Sequence, residues 1–133
     1  MLPSFLLPEA VIREDGEGPV IGLGSSSGKP LLLTLGITRI IEQESLDVSI
    51  WGSPDQTNWS AKPIGSFSQK FYCGEWPLLL DLRAHPDVKF ARAHWDMARW
   101  GRGTETPMFE FGVTMKEVPA EILKEVMAEA RTA

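Results

Sequence analysis

The segment KPLLLTLGITRIIE, residues 29–42, decides the fold class of this chain. Its apolar side chains recur at every second position, as Leu31, Leu33, Leu35 and Ile37. Successive side chains of a β-strand point to opposite faces, so this alternation predicts a long strand near the centre of a sheet. The opposite face of that strand would carry Thr34, Gly36 and Thr38 together with Leu32 and Ile40.

Alternation with period two continues on both sides of the segment. It recurs in SLDVSIW (45–51), FARAHWDM (90–97) and MFEFGVTM (108–115), and clusters of Gly, Pro, Ser, Asn and Asp separate these runs. About seven or eight short strands at this spacing are typical of an antiparallel β-sandwich or barrel. A length of 133 residues fits a single domain spanning residues 1–133.

The two ends of the chain depart from this pattern. Residues 118–131 have an apolar stripe at helical spacing, formed by Ile122, Leu123, Val126, Met127 and Ala130. They predict a C-terminal amphipathic helix of about three turns, too short to be stable alone, which must pack on its own domain or on a neighbouring subunit. Residues 1–24 predict an N-terminal arm or an outer hairpin.

Composition limits the choice of partners. A net charge of −5 argues against a duplex nucleic-acid partner, because such proteins need a basic face. One region does have the composition of a single-strand binder, with Arg83, Lys89, Arg92, Arg99 and Arg102 among tryptophans, but nearby aspartates dilute it. With no signal peptide and no apolar run of membrane-spanning length, we predict no membrane partner and a cytoplasmic protein, or part of a particle assembled there.

No catalytic or metal site can be assembled from the sequence. Cys73 stands alone, so an intrachain disulfide is excluded, and nothing in the sequence activates its thiol. His94 and Asp96 offer two metal ligands on one strand face, which does not close a zinc site, and a cross-strand ladder that includes Arg92 explains the same residues. GLGSSSGKP (22–30) lacks the spacing and the following helix of a phosphate loop. We therefore predict a non-enzymatic protein without a cofactor or metal.

Tryptophans flank a turn in SIWGSPDQTNWSA, residues 49–61. A recurring pattern is formed by Ser53, Asp55 and Trp59 at this corner, Phe90, Arg92 and Trp95 in a later strand, and Phe109 and Phe111 in the last predicted strand. With these residues the chain resembles small β-sandwich proteins encoded among phage and prophage structural genes and, more distantly, discoidin-like or galactose-binding-like jelly rolls. Gln56 stands where the corner pattern has glycine, which leaves the turn type open.

The resemblance implies an antiparallel β-sandwich of jelly-roll type and a non-enzymatic scaffold. Our first hypothesis is a structural subunit that self-associates into a homo-oligomeric or phage-like assembly. The residues predicted to make its contacts are Phe5, Leu6, Leu7, Ile122, Leu123, Val126 and Met127. The alternative is a carbohydrate-binding module, with a glycan as its partner, whose candidate residues at one loop end are Trp51, Asp55, Asn58, Trp59, Trp100 and Arg102.

Overall fold

The computed structural model describes residues 5–41, 44–99 and 107–119, and within these ranges the protein is all-β. The strands are β1 (Phe5–Ile12), β2 (Gly16–Glu17), β3 (Ile21–Gly22), β4 (Pro30–Ile40), β5 (Glu44–Ser53), β6 (Gly65–Ser66), β7 (Gly74–Asp81), β8 (Phe90–Arg99) and β9 (Phe109–Glu117). Two short 3-10 turns lie at Gly24–Ser26 and Leu82–Ala84. Apart from Val118 and Pro119, the predicted C-terminal helix lies outside the described residues.

The strands form two antiparallel sheets. Sheet A has the order β1-β9-β4-β7, and sheet B has the order β2-β8-β5-β6, with β3 also pairing to β8. Among the strands that the structure describes, the first is therefore the neighbour of the last. The segment that decides the fold class lies inside sheet A, where β4 pairs with β9 on one side and β7 on the other, as its alternation predicts.

One hydrophobic core lies between the two sheets. Leu33 and Leu35 of sheet A and Val48 and Ile50 of sheet B belong to the same cluster of buried side chains. The rings of Trp95 on β8 and Phe111 on β9 meet edge to face with their centroids 5.7 Å apart. The alternating side chains predicted to face inward are thus the ones that bury apolar surface, which is the main favourable term in folding.

The N-terminal segment is part of both sheets. β1 pairs with β9, whereas β2 and β3 pair with β8. Leu6 and Leu7 are 1% and 6% exposed, respectively, because they point from β1 into the core. Residues 5–22 are therefore neither a free arm nor a hairpin of their own, since their apolar side chains are needed to complete the core.

β1 crosses β9 unusually closely at Gly112. The register of β1 shifts between Phe5 and Leu7 and again between Leu7 and Ala10. A Cβ atom at Gly112 would lie 2.8 Å from the backbone nitrogen of Glu9 and 3.0 Å from the carbonyl oxygen of Leu7. Glycine is required here because the two backbones approach too closely to admit a side chain.

Candidate functional site

The outer face of sheet B carries a ladder of charged and aromatic side chains, which we call the sheet-B ladder: Glu17, Trp51, Trp59, Arg92, His94 and Asp96. The guanidinium carbon of Arg92 lies 4.1 Å from the centroid of the Trp59 ring. The same guanidinium pairs with Glu17 through an Nη1 to Oε2 distance of 3.0 Å. A cation over an aromatic face is attracted by the ring quadrupole, so Arg92 joins β2 to the corner after β5.

His94 continues the ladder along β8. Its Nδ1 lies 3.6 Å from Glu17 Oε1, and its Nε2 lies 3.4 Å from Asp96 Oδ2. The Trp51 ring meets the imidazole edge-on with the centroids 6.4 Å apart. The prediction of a cross-strand ladder is confirmed for Arg92 and His94, which both reach Glu17 on β2, whereas the contact between His94 and Asp96 lies within β8. The described residues contain no group of three or more His, Cys, Asp or Glu side chains placed to hold a metal ion.

The Ser53–Trp59 corner is closed by its own side chains. Asp55 Oδ1 accepts hydrogen bonds from the backbone nitrogens of Thr57 and Asn58 at 2.9 and 2.8 Å. Its Oδ2 accepts one from the Asn58 side-chain amide at 2.7 Å. These donors, the Asn58 backbone amide first among them, lower the pKa of Asp55 from 3.8 to about 2. Asp and Asn side chains commonly stabilise turns by hydrogen-bonding to nearby backbone groups, and Asp55 does so here.

Gln56 occupies the conformation that glycine prefers. Its φ is 70°, and among the described residues other than glycine it is the one with a positive φ. A side chain costs about 1 to 2 kcal/mol in the left-handed region because Cβ approaches the following carbonyl oxygen. The turn type left open by the sequence is therefore a left-handed one that glycine would suit.

Of the six residues predicted for glycan binding, the structure describes four, and each of the four has contacts within the protein. Trp51 and Trp59 are brought to one face, but Arg92 covers a face of Trp59 and the Trp51 Nε1 donates to Ser49 Oγ at 3.0 Å. Asp55 and Asn58 bond to each other and to the turn backbone. Trp100 and Arg102 lie outside the described residues. The described part of this loop end is occupied by structural contacts.

The outer face of sheet A is open by contrast. Thr34 faces Thr114, and Gly36 faces Gly112, across the β4–β9 pair. These small residues form the floor of a groove of about 370 Å³, which we call the sheet-A groove; its walls include Phe5, Glu9 and Glu75. Its volume lies in the range of small-molecule sites, which span roughly 300 to 1,000 Å³.

Glu9 and Glu75 are the ionisable side chains among the described residues that line the groove. Thr38 Oγ1 donates to Glu9 Oε1 at 3.2 Å, which holds that carboxylate beside the floor. The Cγ of Glu75 lies 4.0 Å from the position that a Cβ at Gly36 would take. The groove therefore offers acceptors from two sides and a hydroxyl that both donates and accepts.

The sequence analysis does not predict the groove, although it assigns Thr34, Gly36 and Thr38 to the face of β4 that lines it. The signal is the run of small residues on the second face of β4, at Thr34, Gly36 and Thr38, opposite a second such run at Gly112 and Thr114. The pairing of β4 with β9 turns two short patterns into one surface, and that pairing cannot be derived from either strand alone.

The residues predicted for self-association fall into three groups. Leu6 and Leu7 lie in the core, and Phe5 remains 48% exposed. Ile122, Leu123, Val126 and Met127 lie outside the described residues. The structure adds an aromatic pair that the sequence analysis did not single out, Phe71 and Tyr72, which are 39% and 72% exposed with ring centroids 6.3 Å apart.

The aromatic pair lies between two fixed points. On one side, Lys70 exchanges two backbone hydrogen bonds of 2.9 Å with Leu46. Its ammonium lies 4.5 Å from the centroid of the Trp76 ring and 2.9 Å from Ser68 Oγ, and burial lowers the pKa of Lys70. On the other side, β7 begins at Gly74. The backbone on both sides of Phe71 and Tyr72 is thus held to the two sheets.

A third residue missed from the sequence is Glu44, which is 1% exposed. Its Oε2 accepts from the backbone nitrogen of Ile41 at 3.0 Å, and its Oε1 accepts from that of Met108 at 2.8 Å. A buried carboxylate is tolerated when it satisfies buried donors in this way. Glu44 joins the end of β4 to the start of β9 and has a structural role.

Comparisons with known proteins return no relative. No protein-family model, curated protein or solved structure matches this chain. Within the described ranges, no helix is long and apolar enough to cross a membrane. What is inferred about function therefore depends on the two sheet faces and the exposed aromatic residues.

Proposed function

We propose that the protein is a non-enzymatic jelly-roll β-sandwich that serves as a self-associating structural subunit. The strand order supports the jelly-roll assignment. If β2 and β3 count as one interrupted strand, the orders β1-β9-β4-β7 and β2/β3-β8-β5-β6 describe two four-stranded sheets. This is the order of a double Greek key, the architecture that viral capsid and lectin domains use.

The observation that carries the self-association proposal is the uncovered aromatic surface. Tyr72 is 72% exposed beside Phe71, although the core has closed without either ring. Aromatic side chains are enriched at protein interfaces, where a rigid ring buries much area at little entropic cost. A second copy that covers this pair would bury the surface that the fold leaves in water.

One further feature supports a role without catalysis. His94 lies on an open sheet face between two carboxylates, Glu17 and Asp96, in a ladder whose members pair with one another. The proposal includes the phage-like ancestry and the cytoplasmic location inferred from the sequence.

The test is the native mass in solution, measured by light scattering on a sizing column at two concentrations about tenfold apart. We expect a mass that is a defined multiple of 14.8 kDa. The double variant Phe71→Ser/Tyr72→Ser should lower that mass and keep the β-type circular dichroism spectrum.

The matched control is Val20→Ser, which removes another exposed apolar side chain, 38% exposed, from a different part of the surface. The control should keep the oligomeric mass of the unaltered protein. A monomer at both concentrations would refute the proposal, as would equal masses for the double variant and the unaltered protein.

A further inference from the structure

We propose that the sheet-A groove is a binding site for a neutral pyranose sugar unit of a glycan. This inference goes beyond the structural role above and does not depend on it. It also places glycan recognition away from the tryptophan corner, where the sequence had suggested it.

The floor of the groove admits a flat ring. Gly36 and Gly112 face each other in register, so at this point of the sheet no side chain rises from β4 or β9. Glycine permits a ligand to approach the backbone closely. The backbone of β1 covers Gly112, where a Cβ would lie 2.8 Å from Glu9 N, whereas a Cβ at Gly36 would meet nothing closer than 4.0 Å. The open slot therefore lies over β4, between the β1 backbone on one side and Glu75 of β7 on the other.

The polar groups around the floor match vicinal hydroxyl groups. Each sugar hydroxyl donates one hydrogen bond and accepts others, so it needs both kinds of partner. Glu9 and Glu75 accept, and hydroxyls such as that of Thr34 both donate and accept. Hydrogen bonds to a carboxylate are stronger than those between neutral groups, which favours a ligand that can donate to both sides.

Charge excludes one class of ligand. The described lining contains two carboxylates and no lysine, arginine or histidine. A phosphate or carboxylate ligand would meet repulsion from both walls, because no basic side chain there compensates its charge. The two carboxylates favour a neutral ligand that donates hydrogen bonds to them.

Phe5 supplies the remaining element of sugar recognition, a ring beside the polar groups. It lines the groove opposite Thr114 in the β1–β9 register and remains 48% exposed. An aromatic face packs against the C–H face of a pyranose ring while the hydroxyls at the ring edge reach polar partners. The apolar and polar parts of the groove therefore correspond to the two kinds of surface on a sugar.

The test uses isothermal titration calorimetry with three soluble probes: cellohexaose, maltohexaose and mannohexaose. We expect saturable binding of at least one probe at millimolar or lower concentration. Gly36→Val should weaken probe binding at least tenfold, because the new side chain would fill the floor of the groove. The fold should tolerate this substitution, because a Cβ at Gly36 meets nothing closer than 4.0 Å. Glu75→Gln should weaken binding about threefold or more.

Trp59→Phe is the matched control at the other face, and it should leave the affinity for the probe within about twofold of that of the unaltered protein. Melting temperatures of all variants, measured without sugar, separate loss of binding from loss of fold. Failure of all three probes to bind at 10 mM, taken as roughly the weakest useful affinity, would overturn the proposal. Binding that survives Gly36→Val but is lost in Trp59→Phe would also overturn it and return the site to the corner.

The outcome is independent of the native mass. A monomer that binds sugar in the groove would refute self-association and support this inference, whereas an oligomer that binds none of the probes would do the reverse.

Discussion

The outer faces of the two sheets differ in how their side chains are used. On sheet B, Arg92 contacts Trp59 and Glu17, and His94 lies between two carboxylates. The aromatic and charged residues of the sheet-B ladder therefore contact one another. On sheet A, small residues at Gly36 and Gly112 leave a groove with acceptors around it. The outer face of sheet B, which is rich in aromatic and charged residues, uses them for structural contacts. The outer face of sheet A, which has fewer such residues, has room for a ligand.

Two facing glycines on sheet A provide the sharpest test of this contrast and the largest expected effect. Gly112→Ala should lower the free energy of unfolding by about 2 to 3 kcal/mol, because its Cβ would meet the β1 backbone at 2.8 Å and neither chain can yield easily. Gly36→Ala, its neighbour across the strand pair, should change that free energy by no more than about 0.5 kcal/mol. Urea denaturation measures both; equal effects would contradict the close crossing of β1 over β9.

The second test concerns the sheet-B ladder. Arg92→Met keeps the length of the side chain but removes its charge, so contacts with both Trp59 and Glu17 are lost. We expect a loss of about 1 kcal/mol in the free energy of unfolding, the scale of a partly buried cation–π contact. A double-mutant cycle with Trp59→Ala should show that the two losses are not additive. Additive losses would mean that the two side chains do not interact.

The third test measures the cost of the left-handed backbone at Gln56, in the corner that ends the ladder. Gln56→Gly should raise the free energy of unfolding by about 0.5 kcal/mol, because glycine adopts a φ of 70° without the Cβ clash and loses part of that gain to its greater freedom when unfolded. Gln56→Ala is the control, since it removes the same side chain beyond Cβ but keeps the clash. A gain of equal size in the alanine variant would assign the cost to the glutamine side chain instead of the backbone.

The smallest effect is expected from acid, and it also lies at the corner. Folding lowers the pKa of Asp55 to about 2, so the folded state favours the ionised carboxylate. Its contribution to stability is therefore present above about pH 4 and is lost as the pH falls through about 2. Melting temperatures between pH 5 and pH 2 should fall less steeply for Asp55→Asn than for the unaltered protein. Parallel curves would show that Asp55 does not contribute.

The sequence predicts the strands and their inward faces better than it predicts the surface. Alternation in residues 29–42 identifies β4, because burial imposes a period of two on any strand with one face in a core. The sequence predicts the N-terminal segment less well, since prolines and an acidic turn interrupt the alternation of a strand whose partner is β9, at residues 109–117. From the sequence alone, Leu6 and Leu7 are predicted to contact another subunit, because the pairing of β1 with β9 that buries them cannot be seen there.

The candidate sites show the same limit in another form. Aromatic and charged residues near Trp59 predict a binding site because their chemistry is visible in the sequence, but whether each side chain already has a partner depends on residues such as Glu17 that are distant along the chain. Conversely, Gly36 and Gly112 have no chemistry of their own, and their importance arises from facing each other. A site made by the absence of side chains leaves only a weak signal in the sequence.

The pairing of β1 with β9 has a consequence for how the protein is made. During synthesis, residues 5–12 leave the ribosome well before their partner at residues 109–117, because most of the two sheets lies between them in the sequence. Until then Leu6 and Leu7 lack the strand that holds them in the core, and apolar side chains exposed in this way make a folding chain prone to aggregation. Closure of sheet A must wait for contacts between distant parts of the chain, which slows folding. A chain that stops before residue 109 would therefore contain every described strand of sheet B, but sheet A would lack β9, the strand that joins β1 to β4.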